Sequence, residues 1–260
     1  MTFISSLIVK KGIILVSDGF GFQNQFSSFG DQQNLALLQS SNDSQQLKIP
    51  SDESLKTFKP GRIKNLNGAK MTFQITEFSS LQFKGVLSLG GQPLNNIISQ
   101  FIDKAQSNLS HIHAVQKFID ILHQYYPPIK DAEYKDGDTP GLCFIYCHFE
   151  PIENKKQVHI IQYLYDPRTE DYRFTDLSFP RDAPLYYSIG MQDLMHGIND
   201  LHDYYDELSF KQGYNFLELM IKIVLTARGP RDNDLNTITY SIIDSKGFRS
   251  ISSESDLPQY

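Results

Sequence analysis

Apolar residues open the chain in two short runs separated by a polar turn. The runs cover residues 3–9 and 13–18, and Lys10, Lys11 and Gly12 lie between them. Two apolar, β-branched runs joined by a short turn that contains glycine predict a β-hairpin. We therefore expect an antiparallel pair of strands at the beginning of the sequence, with almost no leader before it.

The hydrophobic pattern is lost over residues 19–60. Gln, Ser and Asn dominate this stretch, its aliphatic residues cluster at 35–38, and Pro50 and Pro60 lie near its end. A long polar segment without periodicity is typical of a surface insertion. We expect residues 19–60 to interrupt a domain that resumes near Arg62.

Two helices are predicted in the middle of the chain, after strands over residues 71–75 and 83–89. Apolar residues then recur at steps of three and four, which is the spacing of one helix face. A second helix with the same spacing runs from about 113 to 122, and the Tyr-Tyr-Pro-Pro sequence at 125–128 ends it. The first helix carries Leu94, Ile97, Ile98, Phe101 and Ile102 on that face.

The second half of the chain predicts strands, two helices and a final strand pair. The expected strands are 142–149, 158–165, 172–177 and 185–189, the helices 191–207 and 213–228, and the last pair 237–244 and 248–251. Antiparallel strand groups alternating with helix pairs predict the α+β class. We expect a single domain over residues 1–260, built as a four-layer αββα sandwich with the sheets inside.

Charge and composition restrict the partners of the protein. The chain has 24 basic and 30 acidic residues and a net charge of −6, so it lacks the basic surface typical of nucleic-acid binders. No apolar run reaches the roughly 18 residues that span a bilayer. Residues 1–11 have neither the basic start nor the cleavage site of a signal peptide. We expect a cytoplasmic protein that binds neither nucleic acid nor membrane.

The cysteines and histidines do not form a recognisable metal-binding motif. Cys143 and Cys147 are the two cysteines of the chain, and a single pair does not predict a disulfide framework or a zinc site. His111 and His113 are spaced poorly for one ligand set on a helix. His148 and His159 lie on predicted strands, where core or edge positions are expected. We predict neither a metal nor a cofactor.

Thr2 is a candidate nucleophile because of its position. It follows Met1 and is small enough for the initiator methionine to be removed. An exposed N-terminal α-amine has an ordinary pKa of about 8, so it can accept the proton of its own hydroxyl directly or through a water molecule.

Five short motifs, taken in order, resemble the β-type subunits of proteasomes, which belong to the N-terminal-nucleophile hydrolases. Each motif is short, and their shared order carries the resemblance, which is to a divergent bacterial or archaeal homologue. The motifs are Thr2 to Asp18, the segment 67–75 around Lys70, Ser-Leu-Gly-Gly at 88–91, Ser-Ile-Gly at 188–190 and Ser-Lys-Gly-Phe at 245–248.

The resemblance implies a role for five residues. Thr2 would be the nucleophile, and Asp18 would hold Lys70 and the Thr2 amine by ionic hydrogen bonds. Lys70 would lower the pKa of the Thr2 hydroxyl. The backbone N–H of Gly90 would donate to the developing oxyanion, where a side chain would crowd the substrate. Asp232 would take the role of the aspartate that precedes the last strand pair in the family.

The sequence also departs from the family pattern at two places. Met191 and Gln192 follow Gly190 where the family has a Ser-Gly pair, and residues 231–236 lack the family's small serine. These hydroxyls normally support the N-terminal amine. A threonine-type peptidase is therefore expected beside three alternatives: a catalytically inactive structural subunit, a peptide ligase and a non-proteolytic amidohydrolase.

The resemblance further implies two kinds of partner. The substrate would be a peptide or protein, and several copies of the chain would assemble into a ring or stacked homo-oligomer. We expect contacts between copies from apolar residues on the helices, namely Leu94, Ile97, Leu194 and Leu217.

Overall fold

The computed structural model describes residues 4–18, 20–22, 65–67, 71–84, 88–105, 110–130, 142–177, 186–189, 207–228 and 238–259. The helices of this part are α1 Leu94–Ala105, α2 His111–Tyr125 and α3 Phe210–Arg228, and a 3₁₀ turn covers Glu254–Asp256. The strands are β1 Ile4–Val9, β2 Gly12–Asp18, β3 Phe20–Phe22, β4 Asn65–Asn67, β5 Thr72–Thr76, β6 Ser79–Lys84, β7 Ser88–Leu89, β8 Gln92–Pro93, β9 Ile129–Lys130, β10 Cys143–Glu150, β11 Lys155–Asp166, β12 Asp171–Asp176, β13 Tyr186–Ile189, β14 Ile238–Asp244 and β15 Gly247–Ile251.

The N-terminal hairpin lies in the middle of a five-stranded antiparallel sheet. The order of its strands is β13-β1-β2-β14-β15. β1 pairs with β2 from Ile4 opposite Ser17 to Val9 opposite Gly12, so Lys10 and Lys11 form the turn. β2 pairs on its other side with β14. The predicted hairpin is confirmed, and two strands from the last third of the sequence, β13 and β14, flank it.

A second sheet contains six antiparallel strands in the order β5-β6-β10-β11-β12-β9. Its centre is the long hairpin of β10 and β11, in which Cys143 lies opposite Gln162 and Glu150 lies opposite Lys155. Two small pairs, β3 with β4 and β7 with β8, complete the described strands. The first of these joins residues 20–22 to 65–67, so the chain pairs with itself on either side of residues 23–64.

Alternating side chains of the five-stranded sheet enter two separate hydrophobic clusters. Ile4, Ile8 and Ile13 belong to a large cluster that also contains the core of the six-stranded sheet. Leu7 and Ile14 instead pack with residues of α3 in a smaller cluster. The sheet is therefore buried on both faces, as its nearly continuous apolar strands require.

Helix α3 approaches the five-stranded sheet closely at Gly213. A Cβ added at Gly213 would lie 2.7 Å from a methyl carbon of Val9 and 2.8 Å from one of Ile14. Glycine therefore allows the helix to pack directly on β1 and β2.

Helices α1 and α2 cover the six-stranded sheet. Ring centroids of Phe101 on α1 and Phe118 on α2 are 4.8 Å apart, and those of Phe118 and Phe144 on β10 are 5.0 Å apart. The Ser110 side chain accepts a hydrogen bond from the backbone N–H of His113 and caps the start of α2. The contacts of the Phe118 ring with Phe101 and Phe144 join both helices to the sheet beneath them.

Most predicted elements agree with the structure within a few residues, but the strand expected at 83–89 is wrong. The strand of the large sheet covers Ser79–Lys84, and residues 88 and 89 belong to a different strand pair. Ser79, Ser80 and Gln82 are fully buried, so the apolar pattern did not mark this strand.

Residues 191–206 of an expected helix lie outside the described part. The protein has mixed helices and strands, and its described strand pairings are antiparallel.

Candidate functional site

The five residues implied by the family resemblance differ in how far the structure describes them. Thr2, Lys70 and Asp232 lie outside the described residues. Asp18 is the last residue of β2, and its backbone lies opposite Ile238 of β14. Gly90 lies between β7 and β8, shortly before α1 begins.

Three described residues lie within two positions of Thr2, Asp18 and Lys70 in the chain, and one of them, Ser17, is the neighbour of the other two. Ile4 and Ser17 are register partners in the β1–β2 hairpin. The Ser17 hydroxyl lies 3.1 Å from the hydroxyl of Thr72, the first residue of β5. This hydrogen bond crosses between the two sheets, because β2 and β5 belong to different sheets.

The contact between Ser17 and Thr72 belongs to a larger polar network. Ser17 Oγ also lies 2.9 Å from Thr239 Oγ1 on β14. Gln82 Nε2 on β6 donates to the carbonyl oxygen of Val16 at 2.9 Å and to Thr72 Oγ1 at 3.3 Å. Four strands of the two sheets are thus joined by side-chain hydrogen bonds near the end of β2.

Gly90 has a conformation that favours glycine, with a φ of +54°. A Cβ at this position would overlap the carbonyl oxygen of Tyr125 at the end of α2. Packing against Tyr125 therefore requires glycine here, a reason that the sequence did not reveal. This requirement is independent of any substrate that the backbone N–H of Gly90 would contact.

The two cysteines are poor candidates for a nucleophile. Both lie on β10 and are buried. Burial raises the pKa of the Cys143 thiol and of the Cys147 thiol to about 12. Because the thiolate is the reactive form, both side chains are neutral and unreactive near pH 7.

A histidine cluster that the sequence did not predict lies at the start of α2. The ring of His111 stacks on His148 with centroids 5.3 Å apart, and its centroid is 5.6 Å from that of His159. His159 Nδ1 is 2.8 Å from a carboxylate oxygen of Asp176. Partial burial, and then His148 and His159, lower the pKa of His111 to about 4. Burial also lowers the pKa of His148.

Sequence spacing could not have revealed this cluster, because its members come from α2, β10, β11 and β12. His113, two positions after His111 on the helix, instead forms a 2.8 Å hydrogen bond between its Nδ1 atom and the Ser110 hydroxyl. Within the described residues, no group of three or more His, Cys, Asp and Glu side chains is arranged to hold a metal ion.

Comparison with known proteins adds no support to the family resemblance, which depends on the short sequence motifs alone. No protein-family model matches the chain, and no curated protein shows significant similarity to it. None of the described helices is both long enough and apolar enough to cross a membrane.

Proposed function

We propose that the protein is a threonine-type amide hydrolase, related distantly to proteasome β subunits, in which removal of Met1 exposes Thr2. The observation that carries the proposal is that Ser17 lies beside both Ile4 and Thr72. Each is a close neighbour in the chain of one residue that the resemblance assigns to the site.

Chain connectivity limits how far the proposed residues are from these three residues. Thr2 precedes Ile4 by two residues, Lys70 precedes Thr72 by two, and Asp18 follows Ser17 directly. Two residues of extended chain span at most about 7 Å. A lysine side chain bridges a further gap of similar length, so a Thr2–Lys70 contact is compatible with this geometry.

The packing of the elements supports the fold that the family would have. α1 and α2 contact the six-stranded sheet, and α3 contacts β1 and β2 of the five-stranded sheet. The two sheets also contact each other through β1 with β6 and β10. We therefore include the four-layer αββα sandwich in the proposal, with residues 1–260 as one domain.

The proposed reaction has two stages. The hydroxyl oxygen of Thr2 attacks the carbonyl carbon of an amide, its proton passes to the Thr2 α-amine, and Lys70 stabilises the forming alkoxide. The amine then returns this proton to the leaving nitrogen as the C–N bond breaks, which leaves an ester on Thr2. Water attacks the ester, releases the carboxylic acid and restores the hydroxyl.

Three alternatives give different products or none. A peptide ligase would resolve the same ester with an amine in place of water. An amidohydrolase would act on a substrate other than a peptide, which a substrate scan would identify. A structural subunit would perform no chemistry, and the missing serines after Gly190 and within 231–236 favour it.

Mass spectrometry of the intact protein tests the proposal. We expect Met1 to be absent, and a peptidyl β-lactone, which acylates hydroxyl groups, to add its whole mass once. Thr2→Ala should abolish this addition, whereas the matched variant Thr2→Ser should retain it. Retention of Met1, or labelling of Thr2→Ala at the rate of the original protein, would rule out Thr2 as the nucleophile.

A further inference from the structure

Gln82 is placed unusually for a residue with a polar amide. Its side chain is fully buried at the interface between the sheets. Its Nε2 atom donates to Val16 O and to Thr72 Oγ1, but its Oε1 atom has no hydrogen-bond partner among the described residues. A buried acceptor without a hydrogen-bond partner destabilises the folded state, so a leucine or methionine would be expected if the position served stability alone.

The hydrogen bonds of Gln82 fix the two segments that carry proposed site residues. The bond to Val16 holds β2 two residues before Asp18, and the bond to Thr72 holds β5 two residues after Lys70. Ser17 reinforces the same connection through its hydroxyl contacts with Thr72 and Thr239. The network therefore determines the distance between the end of β2 and the start of β5.

We propose that Thr72, held by Ser17 and Gln82, is a positioning residue that sets Lys70 against Thr2 and Asp18. This inference rests on the proposed hydrolase function. Thr72 acts through the backbone of β5, and the chemistry remains with Thr2 and Lys70. Losing its hydroxyl should change how the ammonium group of Lys70 influences the Thr2 hydroxyl, and therefore the rate of acylation and its dependence on pH.

The test compares acylation of Thr2 by the peptidyl β-lactone between pH 6 and pH 9 in four variants. Thr72→Val removes the hydroxyl and preserves the shape of the side chain, and Thr72→Ser restores the hydroxyl. Thr76→Val is the matched control, because Thr76 lies at the other end of β5 and its hydroxyl contacts Ser79 at 2.6 Å. Thr239→Val interrupts the network from an exposed residue and is the alternative should Thr72→Val fold poorly.

We expect Thr72→Val to label at least about 10-fold more slowly, with a shifted pH profile. Thr72→Ser and Thr76→Val should stay within about 3-fold of the original rate, and Thr239→Val should slow labelling to an intermediate degree. Unchanged rates and pH profiles in Thr72→Val, or in Thr239→Val if the former does not fold, would overturn the positioning role alone. Failure of the original protein to label would overturn the hydrolase proposal and this inference with it.

Discussion

At the scale of single residues, Gly90 lies where a backbone constraint and a close contact coincide. Its positive φ disfavours any residue with a Cβ, and the carbonyl oxygen of Tyr125 occupies the space that a Cβ would fill. Its neighbour Gly91 also has a positive φ, of +75°, but no atom lies within 4 Å of the corresponding position. Comparing substitutions at the two adjacent glycines therefore separates the free-energy cost of the left-handed conformation from the cost of the contact with Tyr125.

Gly90→Ala should destabilise the protein considerably more than Gly91→Ala. Both substitutions force alanine into the left-handed region, at a cost of about 1–2 kcal/mol. Gly90→Ala also forces Tyr125 to move, which adds about 1–3 kcal/mol. Urea unfolding at pH 7.5 measures the difference, and equal losses of stability would contradict the packing role assigned to Gly90.

Single residues also show which parts of the site the sequence could predict. Thr2, Asp18 and Gly90 are candidates because their types and spacing match a family pattern. Gln82 has no such signal, since a buried glutamine looks like an exposed one in a sequence. Its hydrogen bonds join strands whose neighbourhood depends on the packing of the two sheets, which no local pattern encodes.

At the scale of secondary-structure elements, hydrophobic periodicity predicted α1, α2 and most long strands. It was less successful where polar residues face inward, as in β6. It also missed the two-residue strands β8 and β9, which are too short to show alternation. Periodicity also cannot reveal the histidine cluster. Its members lie on elements that are distant in the sequence, and they meet only when α2 packs against β10 and β11.

The docking of α2 on the sheet should weaken in mild acid because of His111. Its pKa is about 4 in the folded protein, against 6.5 ordinarily, so the unfolded chain binds more protons between these values. The free energy of unfolding therefore falls as the pH drops from about 6.5 towards 4. His148, His159 and Lys155 oppose protonation of His111, and Glu150 favours it.

Urea unfolding at pH 7.5 and pH 5 measures this dependence. His111→Asn removes the titrating group, so its midpoint should fall less between the two pH values than that of the original protein. His113→Asn is the control, because His113 is an exposed residue on the same helix and should leave the dependence unchanged. The interpretation fails if His111→Asn and the original protein lose the same stability.

At the scale of the whole molecule, the homo-oligomer that the family resemblance implies would need contacts other than those expected from the sequence. Leu94, Ile97 and Leu217 are almost completely buried within the chain, so the expectation that they contact other copies is wrong. Leu194 lies outside the described residues. The outer face of α3 instead exposes Leu219 and Ile223, which are 55% and 43% accessible.

If copies of the chain associate through α3, charges on its outer face should separate them. We expect the original protein to have a multiple of the monomer mass in light scattering, and the double variant Leu219→Lys, Ile223→Lys to shift towards the monomer. Ile152→Lys is the control, since Ile152 is 94% accessible in the β10–β11 turn. A monomeric original protein would contradict the assembly, and an unchanged double variant would exclude this face of α3.

The central position of β2 also governs when the protein can fold during synthesis. Ser17 and Thr239, which contact each other across β2 and β14, are separated by 222 positions in the chain. The five-stranded sheet therefore cannot be completed until the ribosome has produced the chain as far as β14 and β15. Until then the edge of β2 that pairs with β14 has no partner strand, and an unpaired edge favours aggregation of truncated products.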